Sequence, residues 1–235
     1  MTEHRARLVG LYAAAAAIGA ALLAPLLALS YFRVGDGAEE LEQGTVSAWA
    51  DPAGERLDAL LTWSSPDRVY STYVQAMALL FPAVLLCALA VRRTRSAPRG
   101  AEKWGWRIAL PGYGLALVGI VAAFFTLIPG DSGSGAVNAV FLGLMVPGML
   151  ITTIGSTVLG IGLLRAGYAP RLAAWLLALA LPFQLVGTGV VGHNSVGMVP
   201  LFVAWGAAGL ALARGAANHP ADARAPLADL QEAGR

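Results

Sequence analysis

The chain is poor in charge, and it has almost no cysteine or lysine. Asp, Glu, Lys and Arg make up 13% of its 235 residues, about half the ~25% typical of soluble domains. So sparse a charge complement excludes an ordinary water-soluble globule of this size. The single cysteine, Cys87, excludes an intramolecular disulfide, a thiolate metal cage and a Cys-x-x-Cys redox pair. It lies in an apolar run and reads as a small packing residue. No cofactor-binding motif and no metal-ligand cluster is present, so neither a cofactor nor a metal is expected. The low lysine content beside abundant Ala, Gly, Leu and Arg fits a GC-rich bacterial genome.

What the chain does have is apolar residues, 57% of the total, gathered in blocks of about 20, the length a helix needs to cross a bilayer core. Six such blocks run approximately over residues 8–30, 70–91, 108–128, 136–164, 172–191 and 195–213. The first is too long for the apolar core of a secretory signal and is followed by no Ala-x-Ala site, so it reads as a retained span. The expected fold class is all-α: an integral membrane bundle of six transmembrane helices. Loop charges orient it. With the N-terminus inside, inner segments hold thirteen basic residues, including the cluster Arg92, Arg93, Arg95, Arg99, Lys103 and Arg107. Outer segments hold three, Arg33, Arg56 and Arg68. Every loop then obeys the positive-inside rule, which predicts an N-in, C-in protein of the bacterial plasma membrane. Tyr31, Phe32, Trp63, Tyr70 and Tyr73 mark the outer boundary, and Trp104, Trp106, Tyr168 and Trp175 the inner one.

Residues 1–7 form a short cytoplasmic N-terminus and residues 8–213 the membrane domain. Residues 214–235, rich in Ala, Pro and polar types, are expected to be a disordered cytoplasmic tail. The large outer loop, 31–69, carries eight acids. Within it, "DPAGERLDALLTW" predicts a short amphipathic helix capped by Asp51, with Pro52 at its first position and Leu57, Leu60 and Leu61 on one face. Ser65-Pro66 repeats that signal and predicts that span two begins inside the loop. In span four, Gly148, Thr152, Ser156 and Gly160 recur every four residues, a stripe that lets a neighbouring helix approach closely. Pro147 is placed to kink that span; Pro82, Pro111, Pro182 and Pro200 are candidates elsewhere.

No ionisable residue lies deep in any predicted span, which argues against a proton-coupled transporter. Polar residues cluster instead toward the outer side: Gln75, Asp131, Asn138, Gln184, Thr188, His193 and Asn194, with Thr126, Ser132, Ser134 and Ser195 beside them. Some must bond between helices; together they are candidates for an outward-opening polar pocket under the acidic loop. The histidines His4, His193 and His219 fall on two sides of the predicted membrane and cannot share a metal.

One motif invites an enzymatic reading. Gly130-Asp131-Ser132-Gly133 precedes the fourth span and His193 precedes the sixth. The pattern resembles the Gly-x-Ser-Gly serine and sixth-span histidine of rhomboid intramembrane proteases. That resemblance implies a six-span hydrolase with Ser132 as nucleophile and His193 as base. The sequence departs from the family pattern, because span two lacks the His-x-x-x-Asn pair of the oxyanion site and the first outer loop lacks the Trp-Arg element. A turn is the preferred reading of Pro129-Gly130 and the residues after it, because Pro-Gly favours chain reversal and glycine permits positive φ. The leading expectation is a non-enzymatic membrane module: a sensor, an accessory subunit or a small permease-like protein. The alternatives are a transporter of an apolar or lipidic molecule and the Ser132–His193 hydrolase. The expected partners are the lipid bilayer and either a membrane protein or a second copy, with no nucleic acid.

Overall fold

The structure, a computed structural model, describes residues 1–127 and 135–215; within these, the side chains of Asp36, Thr126, Leu127, Ala136, Val137, Asn138 and Phe141 are outside the described set. The described residues contain helices and turns and no strand. In order these are α1 (Glu3–Tyr31), α2 (Gly35–Ala38), α3 (Gly44–Arg56), α4 (Asp58–Leu61), α5 (Pro66–Ala78), α6 (Phe81–Thr94), α7 (Gly100–Val121), α8 (Gly135–Val140), α9 (Val146–Arg165), α10 (Arg171–Ala178), α11 (Ala180–Val191) and α12 (Asn194–Ala213). A 3-10 turn follows α2, and π turns follow α7 and α8. Five continuous helical stretches are long and apolar enough to cross a membrane. The pair α10 and α11, bent by 57°, brings the number to six if it counts as one span.

Proline sets two of the breaks. Its ring clashes with the carbonyl four residues back and it donates no N–H. Pro82 therefore ends α5 at Ala78, and Pro182 ends α10 at Ala178. The backbone groups near these breaks find side-chain partners: the Tyr12 hydroxyl donates to Leu79 O at 2.6 Å, and Leu181 N donates to Thr157 Oγ1 at 3.1 Å. Such partners are needed where no water can substitute. Pro147 starts α9 directly after a π turn, whereas Pro111 and Pro200 sit inside unbroken helices.

The packing rests on two antiparallel small-residue seams. On α7, Gly105, Gly112 and Gly119 recur every seven residues; on α9, Gly148, Gly155 and Gly162 do the same. They mesh directly. A Cβ on Gly112 would stand 2.7 Å from Thr152 N, one on Gly155 2.5 Å from Ala109 N, and one on Gly148 2.5 Å from Ala116 N. Backbone therefore meets backbone along the whole pair, which is how helices associate without a hydrophobic driving force. The second seam joins α1 to α12 through Gly10, Ala13, Gly206 and Gly209. The stripe expected in span four is thus split. Gly148, Thr152 and Ser156 lie on the face toward α7, but Gly160 turns to α10, where it meets Ala178 and Leu177. An i+4 series drifts around a 3.6-residue helix, so its members end on different neighbours.

A buried chain of hydrogen bonds ties the centre together. Trp205 Nε1 donates to the Tyr113 hydroxyl (3.2 Å), which bonds Ser156 Oγ (2.7 Å), which donates to Thr152 O (2.6 Å). Cys87 Sγ lies 3.3 Å from Trp205 O, consistent with the packing role expected of it.

Several boundaries differ from the sequence reading. The loop helix α3 begins at Gly44, so Asp51 is not its cap and Pro52 lies in its interior. Burial of Val46 and Ala50 against Ala28, Leu29 and Phe32 explains the earlier start. Of the expected leucine face only Leu61 is fully buried, and Leu60 is exposed. α5 does begin at Pro66. α7 begins at Gly100, eight residues ahead of the expected 108, which brings Glu102 into the helix and into the core. Of the aromatic residues expected at the boundaries, Trp106, Tyr168 and Phe32 are buried in the protein, whereas Trp63, Trp104 and Trp175 are exposed. The tail beyond residue 215 lies outside the described residues.

Candidate ligand cavity at the loop end of the bundle

A cavity of about 290 Å³ opens among α1, α5, α6, α7, α9, α11 and α12 at the end of the bundle that carries the 32–65 loop. Its upper wall is polar: Tyr31, Tyr70, Thr188, His193, Asn194 and Ser195. Its lower wall is apolar and reaches Phe81 and Phe202, whose rings meet edge to face at 6.1 Å. The chain has five methionines. The four beyond Met1, namely Met77, Met145, Met149 and Met198, come from four different elements and all line this one cavity. Unbranched and polarizable, methionine lets a wall adapt to more than one shape.

The polar wall is built by the α11–α12 turn. Gly192 ends α11 at φ 75, a left-handed conformation that glycine adopts without penalty. His193 then caps α12. Its Nδ1 accepts the Ser195 backbone N–H at 3.2 Å and lies 2.8 Å from Ser195 Oγ. Ser195 Oγ in turn reaches Ala24 O at 2.9 Å, locking the turn to α1. The His193 ring packs on Tyr31 with centroids 4.9 Å apart. Burial pushes the His193 pKa down to about 4, so the imidazole is neutral at physiological pH.

Of the residues expected to form an outer polar pocket, Thr188, His193 and Asn194 come together here. Gln75 and Gln184 do not line the cavity: Gln75 bonds across to the turn after α7, and Gln184 bonds within α11 and to the start of α12. Gln75 Nε2 donates to Phe124 O at 3.1 Å, and Gln184 Nε2 donates to Thr188 Oγ1 at 3.1 Å and Asn194 O at 3.4 Å. Asp131 and Ser132 lie outside the described residues, as does the side chain of Asn138. The Ser132–His193 pairing therefore falls outside what the structure describes. The serine that His193 does touch, Ser195, is 4% exposed and bonds a backbone carbonyl, an arrangement of a helix cap. Among the described residues no group of three His, Cys, Asp or Glu side chains could hold a metal.

Two features escaped the sequence reading. One is the apolar depth of the cavity, although the small number of internal methionines, all four in apolar blocks, was a usable signal. The other is a buried ion pair at the opposite end. Arg95 grips Glu102 through Nε (2.8 Å) and Nη2 (3.1 Å), Trp106 Nε1 adds a bond to the same carboxylate (3.3 Å), and the guanidinium lies 5.8 Å from the centre of the Tyr168 ring. The carboxylate holds the Arg95 pKa above its ordinary value. Comparison with family models, with curated proteins and with solved structures gives no match to this chain.

Proposed function

We propose that the protein is a non-enzymatic module of the bacterial plasma membrane that binds an apolar or lipid-like molecule in the loop-end cavity. The convergence of all four internal methionines on one space carries this reading. A wall of Met, Phe, Leu and Val suits a hydrocarbon chain or ring system, and the Tyr31, Tyr70 and Asn194 end suits a single hydrogen-bonding group; pockets of this kind use few polar groups to orient a mostly apolar ligand. The basic bias of alternate loops supports an N-in, C-in threading, which puts the cavity on the outer side beneath the acidic loop. The same cavity also fits a carrier, because α5 ends at Ala78 and α6 starts at Phe81, both on its wall. Broken helices at a mid-membrane site are a recurrent feature of transporters.

The test uses protein reconstituted in nanodiscs with 13C-methyl methionine and titrated with a medium-chain alcohol. Saturable, joint movement of the four internal methyl signals, with Met1 unmoved, is the expected result. An Ala78→Phe variant that fills the cavity should abolish it. Signals that do not saturate, or that respond equally in the filled variant, refute the proposal. Protein-dependent transfer of a fluorescent phospholipid analogue between the leaflets of proteoliposomes, read by quenching of the outer leaflet, separates the carrier from the sensor.

A further inference from the structure

We infer that a second site, at the end of the bundle away from the long loop, binds the phosphate headgroup of an anionic lipid. A cleft of about 530 Å³ lies between the end of α6 and the start of α7. Arg92, Lys103 and Arg107 line it, together with Trp106, Leu110 and Pro111. No carboxylate lines it, and among the described residues none of the three cations has an ion-pair partner. The neighbouring acid, Glu102, is buried, does not line the cleft and is spent on Arg95. Arg92 donates through Nη1 to Arg95 O at 2.9 Å, which steadies its guanidinium, and Arg107 lies 5.1 Å from the centre of the Trp104 ring.

The order of chemistry along the cleft decides the ligand. The cations sit at the end of two long apolar helices. Leu110 and Pro111 lie one to two turns further along α7, toward its middle. A ligand filling this space carries negative charge at one end and hydrocarbon at the other. A soluble phosphate would satisfy the cations and leave the apolar floor bare, whereas a phospholipid of the surrounding bilayer satisfies both. Basic pockets at this level of a helical bundle are suited to such headgroups. The site is independent of the loop-end cavity and shares no residue with it.

Native mass spectrometry of the full chain released from mixed vesicles of phosphatidylcholine and phosphatidylglycerol tests this. Wild-type protein should retain phosphatidylglycerol in clear preference. Lys103→Gln, an exposed change that leaves folding alone, should weaken retention about fivefold, since a basic side chain near a membrane surface contributes about 1 kcal/mol. Lys103→Gln combined with Arg107→Gln should abolish the preference. A control with the same charge loss elsewhere, Arg93→Gln with Arg165→Gln, should retain it. Equal loss in the control reduces the effect to overall charge and overturns the site, as does an unchanged preference in the double variant. Displacement of the lipid by millimolar inorganic phosphate would overturn the lipid assignment in favour of a free anion.

Discussion

Two glycines on one helix, two residues apart, should respond oppositely to the same substitution. A Cβ at Gly112 would stand 2.7 Å from Thr152 N and 2.9 Å from Ile151 C. Both are backbone atoms of α9, so no rotamer change relieves them. Ordinary contact begins near 3.4 Å, so the seam must open by roughly 0.7 Å, loosening Gly105, Gly119 and their partners with it. Overpacking of this kind costs about 1–3 kcal/mol. The gain in helix propensity, up to about 1 kcal/mol for Gly to Ala, offsets only part of that. Gly114 has nothing within 4 Å of its Cβ position, so Gly114→Ala keeps the propensity gain and should be neutral or stabilising by up to about 1 kcal/mol. Thermal unfolding in one detergent, followed by intrinsic fluorescence, reads both. Gly112→Ala should melt below wild type and Gly114→Ala at or above it. Equal midpoints for the two variants would show that the seam does not hold the helices as close as described.

Other expectations follow from the buried polar groups. Glu102→Gln removes the charge facing Arg95; breaking such pairs costs about 3–5 kcal/mol when both ions are buried. The Arg95 side chain keeps 22% exposure, so a loss near the lower end is expected in the same melt, and a loss below about 1 kcal/mol would count against the pair. Tyr113→Phe leaves the Trp205 N–H and Ser156 Oγ without their shared partner and should cost about 1–3 kcal/mol, with a shift in Trp fluorescence. For His193 the folded pKa, about 4, lies below the ordinary 6.5. The unfolded chain therefore takes up the proton first, and stability should fall as pH drops from about 6.5 to about 4. His193→Asn, which keeps an acceptor at the cap, should flatten that slope; an unchanged slope would mean that other groups cause it.

How much could be read in advance depended on whether the signal was local. Helix length follows from the length of an apolar run, so the long apolar helices were legible. Pro66 marked a helix start; of the four prolines read alike as kink candidates, Pro82 and Pro182 do accompany breaks while Pro111 and Pro200 do not, so proline marked where a break can occur and the packing decided which one forms. The start of α7 was not legible, since Glu102 and Arg107 look like loop residues until their partners, Arg95 and the Trp104 ring, are supplied. The candidate site was half visible. Thr188, His193 and Asn194 stand close together in sequence at one turn, whereas Met77, Met145, Met149 and Met198 are brought together only by four separate elements.

The sequence alone determined that the chain makes long apolar helices with a strongly basic bias in alternate loops, because hydropathy and charge act residue by residue against the solvent. Tertiary structure decided which faces meet. The heptad glycines of α7 and α9 find their partners on the other helix, such as Thr152 for Gly112 and Ala109 for Gly155, only when the helices lie antiparallel in register, and the cavity exists only where seven helices fail to close. Close packing is a property of pairs of surfaces, and no single stretch of chain carries it.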